Sequence, residues 1–411
     1  MNSCARWAVS SVRVICLPDQ CRQSNGMPGW TRKMLRPAAR RLVRRLWLLG
    51  AIGLLTACAP SEPVRIGFVG GLSGRVADLG SEGKDGALLA VEQANAAGGL
   101  SGRRIVLMVR DDAQDPDKAR QAVRELIAAG VQVIVGPMTS AMAEAVIPLA
   151  DEAGVTLISP TVTGSHFSGR DDHFFRVVSS SAEYARTAAN FLADARGARR
   201  AALIIDLSNA AYTVDWAEHF GATFAEHGGT VLRVERFSSA EQASLLPQVE
   251  RMLHDRPDAV VAVAGAVDAA RIVQAVRQRA GQIDLLIADW AASERFVELG
   301  GAAAEGVWAP QYFDRDDRSP RYRAFHTAYV ERFDTEPGAA SVAGFDAANV
   351  ALAALSAKTD ASVKAHLLAQ TRFAGVQRPI VFDRYGDAAR PIHMAVVHDG
   401  RFMLVGEGER Q

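Results

Sequence analysis

The chain has 411 residues, of which 49% are hydrophobic and 7% aromatic, and its formal net charge is zero. This length and composition predict a globular protein of two domains and exclude a disordered chain. The first 57 residues hold ten of the 46 basic residues but only one of the 46 acidic ones, so residues 58–411 carry a net charge of −9. A body this acidic is unsuited to nucleic acid, which requires a basic face.

The N-terminal region has the layout of an export signal. Residues 1–33 fit no targeting pattern, and Met34 is an alternative start of the translated protein. A basic stretch at 36–45 precedes an apolar run at 46–57, which is too short to span a bilayer comfortably. We therefore predict a signal region at 1–57, with a lipoprotein signal at 34–57, and an exported body.

Leu-Thr-Ala-Cys at residues 55–58 resembles the bacterial lipobox. It predicts cleavage before Cys58, lipid on the thiol of Cys58 and a tether at 58–63. A plain signal peptide beside a chance cysteine is the alternative. The other cysteines also precede the body, which leaves no thiol there for a disulfide, a zinc site or a nucleophile: Cys4, Cys16 and Cys21.

The body begins with alternating strand and helix patterns. An apolar strand at 64–70 precedes a helix near 81–97, and a strand at 105–110 precedes a helix capped by Asp115 with Pro116 in its first turn. Further apolar strands lie at 131–136 and 155–160. Such continuous apolar runs are typical of parallel strands that helices cover on both faces.

A second series of the same kind begins near residue 174, with further strands, helices and a late turn: strands at 201–206, 230–237, 258–264 and 283–289, helices near 320–333 and 341–356 after the segment at 306–313, and short C-terminal strands with a turn at 385–387. We predict an α/β fold of two Rossmann-like lobes with parallel sheets, joined by a multi-strand hinge, with a ligand cleft between them. The predicted boundaries assign 64–181 and 309–376 to lobe I, and 182–308 and 377–411 to lobe II and the hinge.

Two neighbouring strands end in loops of small hydroxyl residues. Ser140 follows the strand at 131–136 and starts a predicted helix, where free N–H groups and the helix dipole favour an anion. Thr163 follows the next strand and adds a second hydroxyl. Ligands of parallel α/β sheets bind beyond the carboxyl ends of strands. Helix capping without a ligand remains an equally open interpretation of both residues.

No motif for catalysis is present. The glycine-rich loop at 70–74 lacks the spacing of a dinucleotide site, and the sequence contains no P-loop, no H-E-x-x-H and no G-x-S-x-G. The nine histidines have no metal-ligand spacing. We therefore predict a protein that is not an enzyme, without a metal, a cofactor or catalytic residues.

Four motifs in a fixed order carry a resemblance to a known family: IGFVGGLSGRVADLGSEGKDGALLAVEQANAAGGLSGRRI, DDAQDP, VGPMTSAMAEAVIPLADEAGVTLISPTVTG and GFDAANVALAAL. From residue 64 onward the chain resembles the type 1 periplasmic substrate-binding proteins, in particular the leucine/isoleucine/valine-binding branch. The resemblance implies a receptor that closes its two lobes on a small ligand and presents it to an ABC permease in the inner membrane.

The resemblance also implies roles for individual residues. Ser140 and Thr163 match the hydroxyls that hold the carboxylate of an amino acid, with Thr161 beside them. Tyr212 matches an aromatic residue of the second lobe that packs over the ligand. Asp289 matches the acid that pairs with the ammonium group, and the alternative for Asp289 is an N-cap of the following helix.

The chain departs from the family pattern on the side of the ligand's side chain. Leu79 stands where some relatives carry a large aromatic residue, and the small residues 264–266 replace a second-lobe aromatic, whose volume Trp290 could refill. A disulfide of some members corresponds to Gln114 and Thr139 and is absent here. Leucine therefore cannot be assumed to be the ligand.

We expect a lipid-anchored extracytoplasmic receptor of an ABC importer, which binds an amino acid or a related small carboxylate or amide and no nucleic acid. The alternative is a ligand-sensing or regulatory lipoprotein that acts on a protein partner. Ala59 supports this alternative, because a lipoprotein of a Gram-negative cell without aspartate at that position usually goes to the outer membrane, away from an inner-membrane permease.

Overall fold

The computed structural model describes residues 62–74, 76–241, 244–357 and 361–405. The predicted signal region at 1–57 and the predicted lipid site, Cys58, lie outside these residues, as does most of the predicted tether. From Val64 onward strands and helices alternate, as the apolar pattern predicts.

The first sheet has five parallel strands in the order β2-β1-β3-β4-β5. Val64 pairs with Ile105 and Gly70 with Asp111, so the two longest strands are in full register. All residues of β3, β4 and β5 and most of β1 are buried, because helices cover both faces, whereas the edge strand β2 is mostly half-buried. The strand bounds are β1 Val64–Gly70, β2 Ile105–Asp111, β3 Val133–Val135, β4 Thr156–Ser159 and β5 Phe174–Arg176.

The second sheet has seven strands in the order β14-β13-β10-β9-β8-β6-β7. The strands β6 to β10 pair in parallel. The C-terminal strands β13 and β14 pair antiparallel, β13 with both β10 and β14. The bounds are β6 Arg200–Asp206, β7 Thr230–Phe237, β8 Ala259–Val263, β9 Asp284–Ile287, β10 Trp308–Gln311, β13 His393–His398 and β14 Arg401–Leu404. A separate pair is formed by β11 Arg372–Phe373 and β12 Ile380–Val381.

The helices divide between the two sheets according to the apolar cores in which they are buried. The first sheet and its helices form the first lobe, with α1 Ala77–Ala96, α2 Pro116–Ala128, α3 Ser140–Ala153, α9 Pro320–Phe333, α10 Ala339–Ser356 and α11 Val363–Ala369. The second sheet and its helices form the second lobe, with α4 Ser181–Asn190, α5 Ala210–Glu226, α6 Leu246–His254, α7 Ala266–Arg277 and α8 Glu294–Gly300. The predicted α/β class with two parallel-sheet lobes is confirmed.

The start of α1 differs from the sequence-based expectation. The sequence predicts a helix from about residue 81. The helix begins at Ala77 instead, with Gly80 inside it, where a Cβ would lie 1.9 Å from the carbonyl oxygen of Gly71. Close backbone packing therefore outweighs helix propensity at this position, and the first turn of α1 becomes available to line a pocket.

Helices α1 and α10 pack with almost no space between their backbones. A Cβ at Gly86 would lie 2.0 Å from the carbonyl oxygen of Ser341, and one at Gly344 would lie 2.1 Å from that of Gly83. Among the described residues, α10 is apolar and long enough to cross a membrane, but 72% of it is buried inside the protein. It is a core helix of the first lobe.

The chain passes between the lobes at 177–180, 312–319 and 389–392. Two of these segments are joined at Ser179, whose Oγ accepts the N–H of Arg390 at 2.8 Å and donates to its carbonyl at 3.0 Å. The Arg390 guanidinium also binds Asp346 of α10 at 2.7 Å, and each of these two side chains is only 1% exposed. A buried ion pair therefore fixes the connection between the lobes.

Candidate functional site

A pocket lies between the lobes, at the carboxyl ends of the strands of both sheets. Its empty volume, including the mouth, is about 930 Å³, which is in the range of small-molecule sites. The structure brings all seven sequence-predicted site residues to its lining: Leu79, Ser140, Thr161, Thr163, Tyr212, Asp289 and Trp290. Their roles toward a ligand remain predictions.

One wall of the pocket is built on the N-terminus of α3. Thr139 occupies the N-cap position without a side-chain capping bond, and Ser140 is the first helical residue. The Ser140 Oγ accepts the N–H of Gly164 at 3.2 Å, which leaves its own O–H free to donate. The positive end of a fourteen-residue helix and a hydroxyl donor thus face the same space.

The loop after β4 completes this wall. Thr161 Oγ1 donates to the carbonyl of Met138 at 2.5 Å, so its proton already holds the two loops together. The carbonyl of Thr163 accepts from Arg176 Nη1 at 3.0 Å and from the N–H of Ser181 at 2.7 Å. These bonds fix the backbone that carries the Thr163 hydroxyl.

The capping interpretation of the two hydroxyl residues is wrong. The N-cap of α3 is Thr139 rather than Ser140, and the short helix that follows Thr163 is preceded by Gly164. Thr139 makes no side-chain capping bond, and Gly164 has no side chain that could make one.

The opposite wall is centred on Asp289, which lies two residues after the end of β9 in the second lobe. Its Oδ1 accepts from the Tyr212 hydroxyl at 2.7 Å and from Trp216 Nε1 at 3.1 Å. The two donors are four residues apart on α5 and therefore project from the same helix face. The alternative for Asp289 is wrong, because the N-cap of α8 is Ser293.

Both partners of Asp289 are neutral, which determines the electrostatics of this wall. Burial raises the pKa of Asp289 from 3.8 to about 6, although the bonds from Tyr212 and Trp216 act in the opposite direction. The unfavourable effect of desolvation on the charged carboxylate is therefore larger than the stabilisation that the two neutral donors provide. A cation placed beside Asp289 would stabilise its charged form.

Trp290 fills the volume left by the small residues 264–266. A Cβ at Gly265 would lie 3.3 Å from Cζ2 of Trp290, so the indole lies directly against this glycine. The ring of Tyr212 meets the indole edge to face, with centroids 5.9 Å apart. Leu79 contributes an apolar side chain from α1. The aromatic residue of this wall thus stands at position 290, and not at 264–266 as the resemblance implied.

The absent disulfide is replaced by a hydrogen bond. Thr139 Oγ1 donates to Gln114 Oε1 at 3.0 Å, between the loop after β2 and the start of α3. The two positions are therefore neighbours in space, as the resemblance implied, and the N-terminus of α3 is still fixed to the adjacent loop.

The lobes touch across the pocket mouth. The N–H of Ala141 in α3 donates to Asn209 Oδ1 of the second lobe at 3.0 Å. Nearby, Asp215 of α5 accepts from the N–H of Ser165 at 2.9 Å and from its hydroxyl at 2.5 Å. The structure is therefore a closed form, in which residues of both lobes surround the pocket.

Sequence reasoning missed several lining residues. Asp78 and Glu82 lie on the pocket face of α1 beside Leu79, at helical spacing. Gln311 ends β10 at the same sheet edge as Asp289, so the strand-end rule that selected Ser140 would have found it. Burial and the neighbouring Glu294 raise the pKa of Glu82 from 4.5 to about 8. The described lining thus holds three acids and neither lysine nor arginine.

The matches to known proteins agree with this architecture. Residues 63–401 match the family model described as "Periplasmic binding protein". The chain belongs to this family. The resemblance carried by the four sequence motifs is thereby confirmed.

Individual relatives place the chain near the branched-chain amino acid branch of the periplasmic binding proteins. The Leu/Ile/Val-binding protein homolog 3 of Brucella melitensis is 29% identical over 187 residues, which is 45% of this chain and 50% of that protein. The chain therefore spans half the length of this relative.

Two solved structures match over 84% of this chain at 25% identity. A leucine-binding protein, LivK, of Thermotoga maritima has a TM-score of 0.77 and is covered over 98% of its length. LivJ of Streptococcus pneumoniae, solved in complex with isoleucine, has a TM-score of 0.76 and is covered over 99%.

Proposed function

We propose that this periplasmic binding protein is the receptor of an ABC importer and that it binds an α-amino acid or a close analogue by closing its lobes. One observation carries the proposal: the two pocket walls have opposite chemistry. The first lobe offers a helix N-terminus and a free hydroxyl, and the second offers a buried acid whose partners are all neutral.

The carboxylate of the ligand would bind on the first lobe. The Ser140 hydroxyl has its proton available, the Thr163 side chain faces the same space, and the dipole of α3 adds positive potential. Thr161 would act by holding the loop, because its proton is already donated to Met138.

The ammonium group would bind on the second lobe, at Asp289. Tyr212 and Trp216 hold this carboxylate through one of its oxygens, Oδ1, and neither bond uses Oδ2. An ammonium ion beside Asp289 would supply the missing positive charge in a charge-assisted hydrogen bond. A ligand that satisfies both walls bridges the lobes and stabilises the closed form.

The relatives support this class of ligand. The Brucella relative is named for leucine, isoleucine and valine, and the LivJ structure holds isoleucine. We propose that this chain, like these relatives, binds the amino and carboxylate groups of an amino acid. The lining by Leu79, Gly265 and Trp290 is apolar, but the acids of α1 that share the pocket are unsuited to an aliphatic side chain.

The membrane anchor and the permease are further parts of the proposal. Lipid on Cys58 would hold the receptor at the cell envelope, and the permease would contact both lobes in the closed form. Metabolic labelling with a palmitate analogue tests the anchor, with Cys58→Ser as the control. Co-purification of a permease or, alternatively, of a sensor kinase distinguishes the transport role from the sensing role that Ala59 keeps open.

A matched ligand set tests the binding mode. Thermal unfolding of the protein from residue 59 onward, refolded to remove carried-over ligand, is followed with α-amino acids, their amides and the corresponding hydroxy acids. A ligand at one hundred times its Kd adds about 2.7 kcal/mol of stability. We expect stabilisation only when both the carboxylate and the amine are present. Equal stabilisation by the hydroxy acid would remove Asp289 from the site, and no response to any amino acid would overturn the proposal.

A further inference from the structure

Three unpaired polar atoms belong to two residues of one pocket wall and to Glu294, which directly follows one of them in the chain. Ser293 Oγ, Glu294 Oε2 and Gln311 Nε2 are buried and have no hydrogen-bond partner, and they are three of the nine such side-chain atoms in the described residues. Gln311 is only 3% exposed, and both it and Ser293 line the pocket. Since buried polar atoms in folded proteins are nearly always paired, this cluster indicates a missing polar partner.

The orientation of Gln311 is fixed by Arg315. Nη1 of Arg315 donates to Gln311 Oε1 at 2.7 Å, and its Nε donates to Glu294 Oε1 at 2.5 Å. A guanidinium can only donate, so the amide oxygen must face it and the amide N–H₂ must point away. One arginine therefore positions both side chains and leaves one donor and one acceptor unpaired.

Glu82 adds a second acceptor from the other lobe. A Cβ built on Gly338 would lie 2.4 Å from Glu82 Oε2 and 3.0 Å from Glu294 Oε2, so both carboxylate oxygens lie close to a single point. Glu82 lines the pocket from α1, one helical turn beyond Asp78. We call Glu82, Ser293, Glu294 and Gln311 the polar wall.

We propose that the polar wall recognises a terminal carboxamide, so that the ligand is an α-amino acid with an amide side chain, such as glutamine. The amide oxygen would accept from Gln311 Nε2, and the amide N–H₂ would donate to the carboxyl groups of Glu82 and Glu294. This inference rests on the proposed function, because Ser140 and Asp289 must hold the backbone end of the same ligand.

Other side chains fit the polar wall less well. An aliphatic side chain would leave all three unpaired atoms buried against it, which is unfavourable for each of them. An ammonium group would satisfy the carboxylates but leave Gln311 Nε2 without an acceptor. A carboxylate would bring a second negative charge next to Glu294. A carboxamide supplies both donors and an acceptor.

Calorimetric titration with four amino acids of similar size tests the inference on the wild-type protein. Glutamine carries the amide, methionine is its apolar counterpart, and glutamate and lysine supply the two charged alternatives. A site that hydrogen-bonds its ligand discriminates strongly against an analogue that lacks the group. We expect glutamine to bind at least about tenfold more tightly than each of the other three.

Two substitutions of Gln311 sharpen the test. Gln311→Met removes the donor at similar volume, and we expect glutamine to lose about tenfold in affinity while methionine keeps or gains affinity. Gln311→Glu keeps an acceptor for Arg315 but replaces the N–H₂ with an oxygen, so glutamine should weaken and lysine should gain. Gln278→Met, at an exposed position after α7, is the matched control and should leave all affinities unchanged.

The outcomes separate this inference from the proposed function. If methionine, glutamate or lysine binds as tightly as glutamine, the carboxamide assignment is overturned and the amino-acid receptor stands. If glutamine binds best but Gln311→Met and Gln311→Glu both keep wild-type preference, the polar wall is not the recognition site. If no α-amino acid binds, the proposed function itself has failed.

Discussion

Two buried aspartates of this protein have opposite environments. Asp346, in the core between α10 and the hinge, accepts from Arg390 Nη2 at 2.7 Å and from the N–H of Val376 at 2.8 Å. Asp289, in the pocket, accepts from the Tyr212 hydroxyl and the Trp216 indole N–H, which are its neutral side-chain donors among the described residues. The first acid has a permanent cation, and the second has none among the described residues that contact it.

The difference separates a structural acid from one suited to a ligand. An ionised carboxylate away from water is strongly unfavourable unless it is paired. At Asp346 the protein supplies the compensating charge itself. At Asp289 both side-chain donors are neutral, so the compensating charge is missing and a ligand ammonium could supply it. The binding of a cation beside Asp289 is therefore favoured, because it would relieve the unfavourable burial of an unpaired carboxylate.

The largest expected effect concerns the structural acid. Asp346→Ala leaves the guanidinium of Arg390 buried without its carboxylate, and breaking one half of a buried ion pair lowers stability by about 3–5 kcal/mol. Urea unfolding of the ligand-free protein measures the loss. Glu331→Ala, at an exposed acid within α9, is the control and should change little. A loss below about 1 kcal/mol would show that Asp346 is no more structural than a surface acid.

Replacement of the pocket acid should instead remove binding. Asp289→Asn keeps the shape of the side chain but removes the charge, and we expect the affinity for an α-amino acid to fall about a hundredfold. That estimate corresponds to the upper range for hydrogen bonds to charged groups. Asp284→Asn changes the first residue of β9, which lies outside the pocket, and is the control in the same calorimetric experiment. Wild-type affinity in Asp289→Asn would place the amine elsewhere.

The same substitution should stabilise the ligand-free protein at neutral pH. Because the pKa of Asp289 is raised from 3.8 to about 6, its protonated form contributes stability that is present below pH 3.8 and is lost as the pH rises through 6. The asparagine of Asp289→Asn does not titrate and so does not lose this stability. The free energy of unfolding of the variant should therefore rise by about 1–2 kcal/mol relative to wild type between pH 4 and pH 7. Unfolding curves at four pH values in that window measure the difference. A difference that does not vary with pH would mean that Asp289 titrates normally.

Most of the fold could be predicted from the sequence because its signals are strong. The helix at Pro320–Phe333 and the strand at Thr230–Phe237 have the predicted bounds, and Asp115 caps α2 as its position before Pro116 indicates. The early start of α1 could not be predicted, because the contact between Gly80 and Gly71 is tertiary.

The site was predictable where chemistry follows a strand end and a family motif, as at Ser140 and Asp289. It was not predictable where two distant segments meet. Gln311 and Glu294 become a unit only through Arg315, and Glu82 reaches them from the other lobe. No local sequence pattern predicts a contact between distant segments, so the polar wall could be recognised only in the folded structure.

The smallest expected effect concerns the carboxylate wall, where no charged side chain is involved. Ser140→Ala removes one neutral hydroxyl donor, and the N–H groups of α3 remain, so we expect about a tenfold loss of affinity measured by calorimetry. Thr161→Val is the matched comparison, because its hydroxyl already donates to Met138 and should affect binding less. If Ser140→Ala keeps wild-type affinity, the helix N-terminus alone holds the carboxylate. In that case both walls would depend on one dominant electrostatic element each, the dipole of α3 and the charge of Asp289.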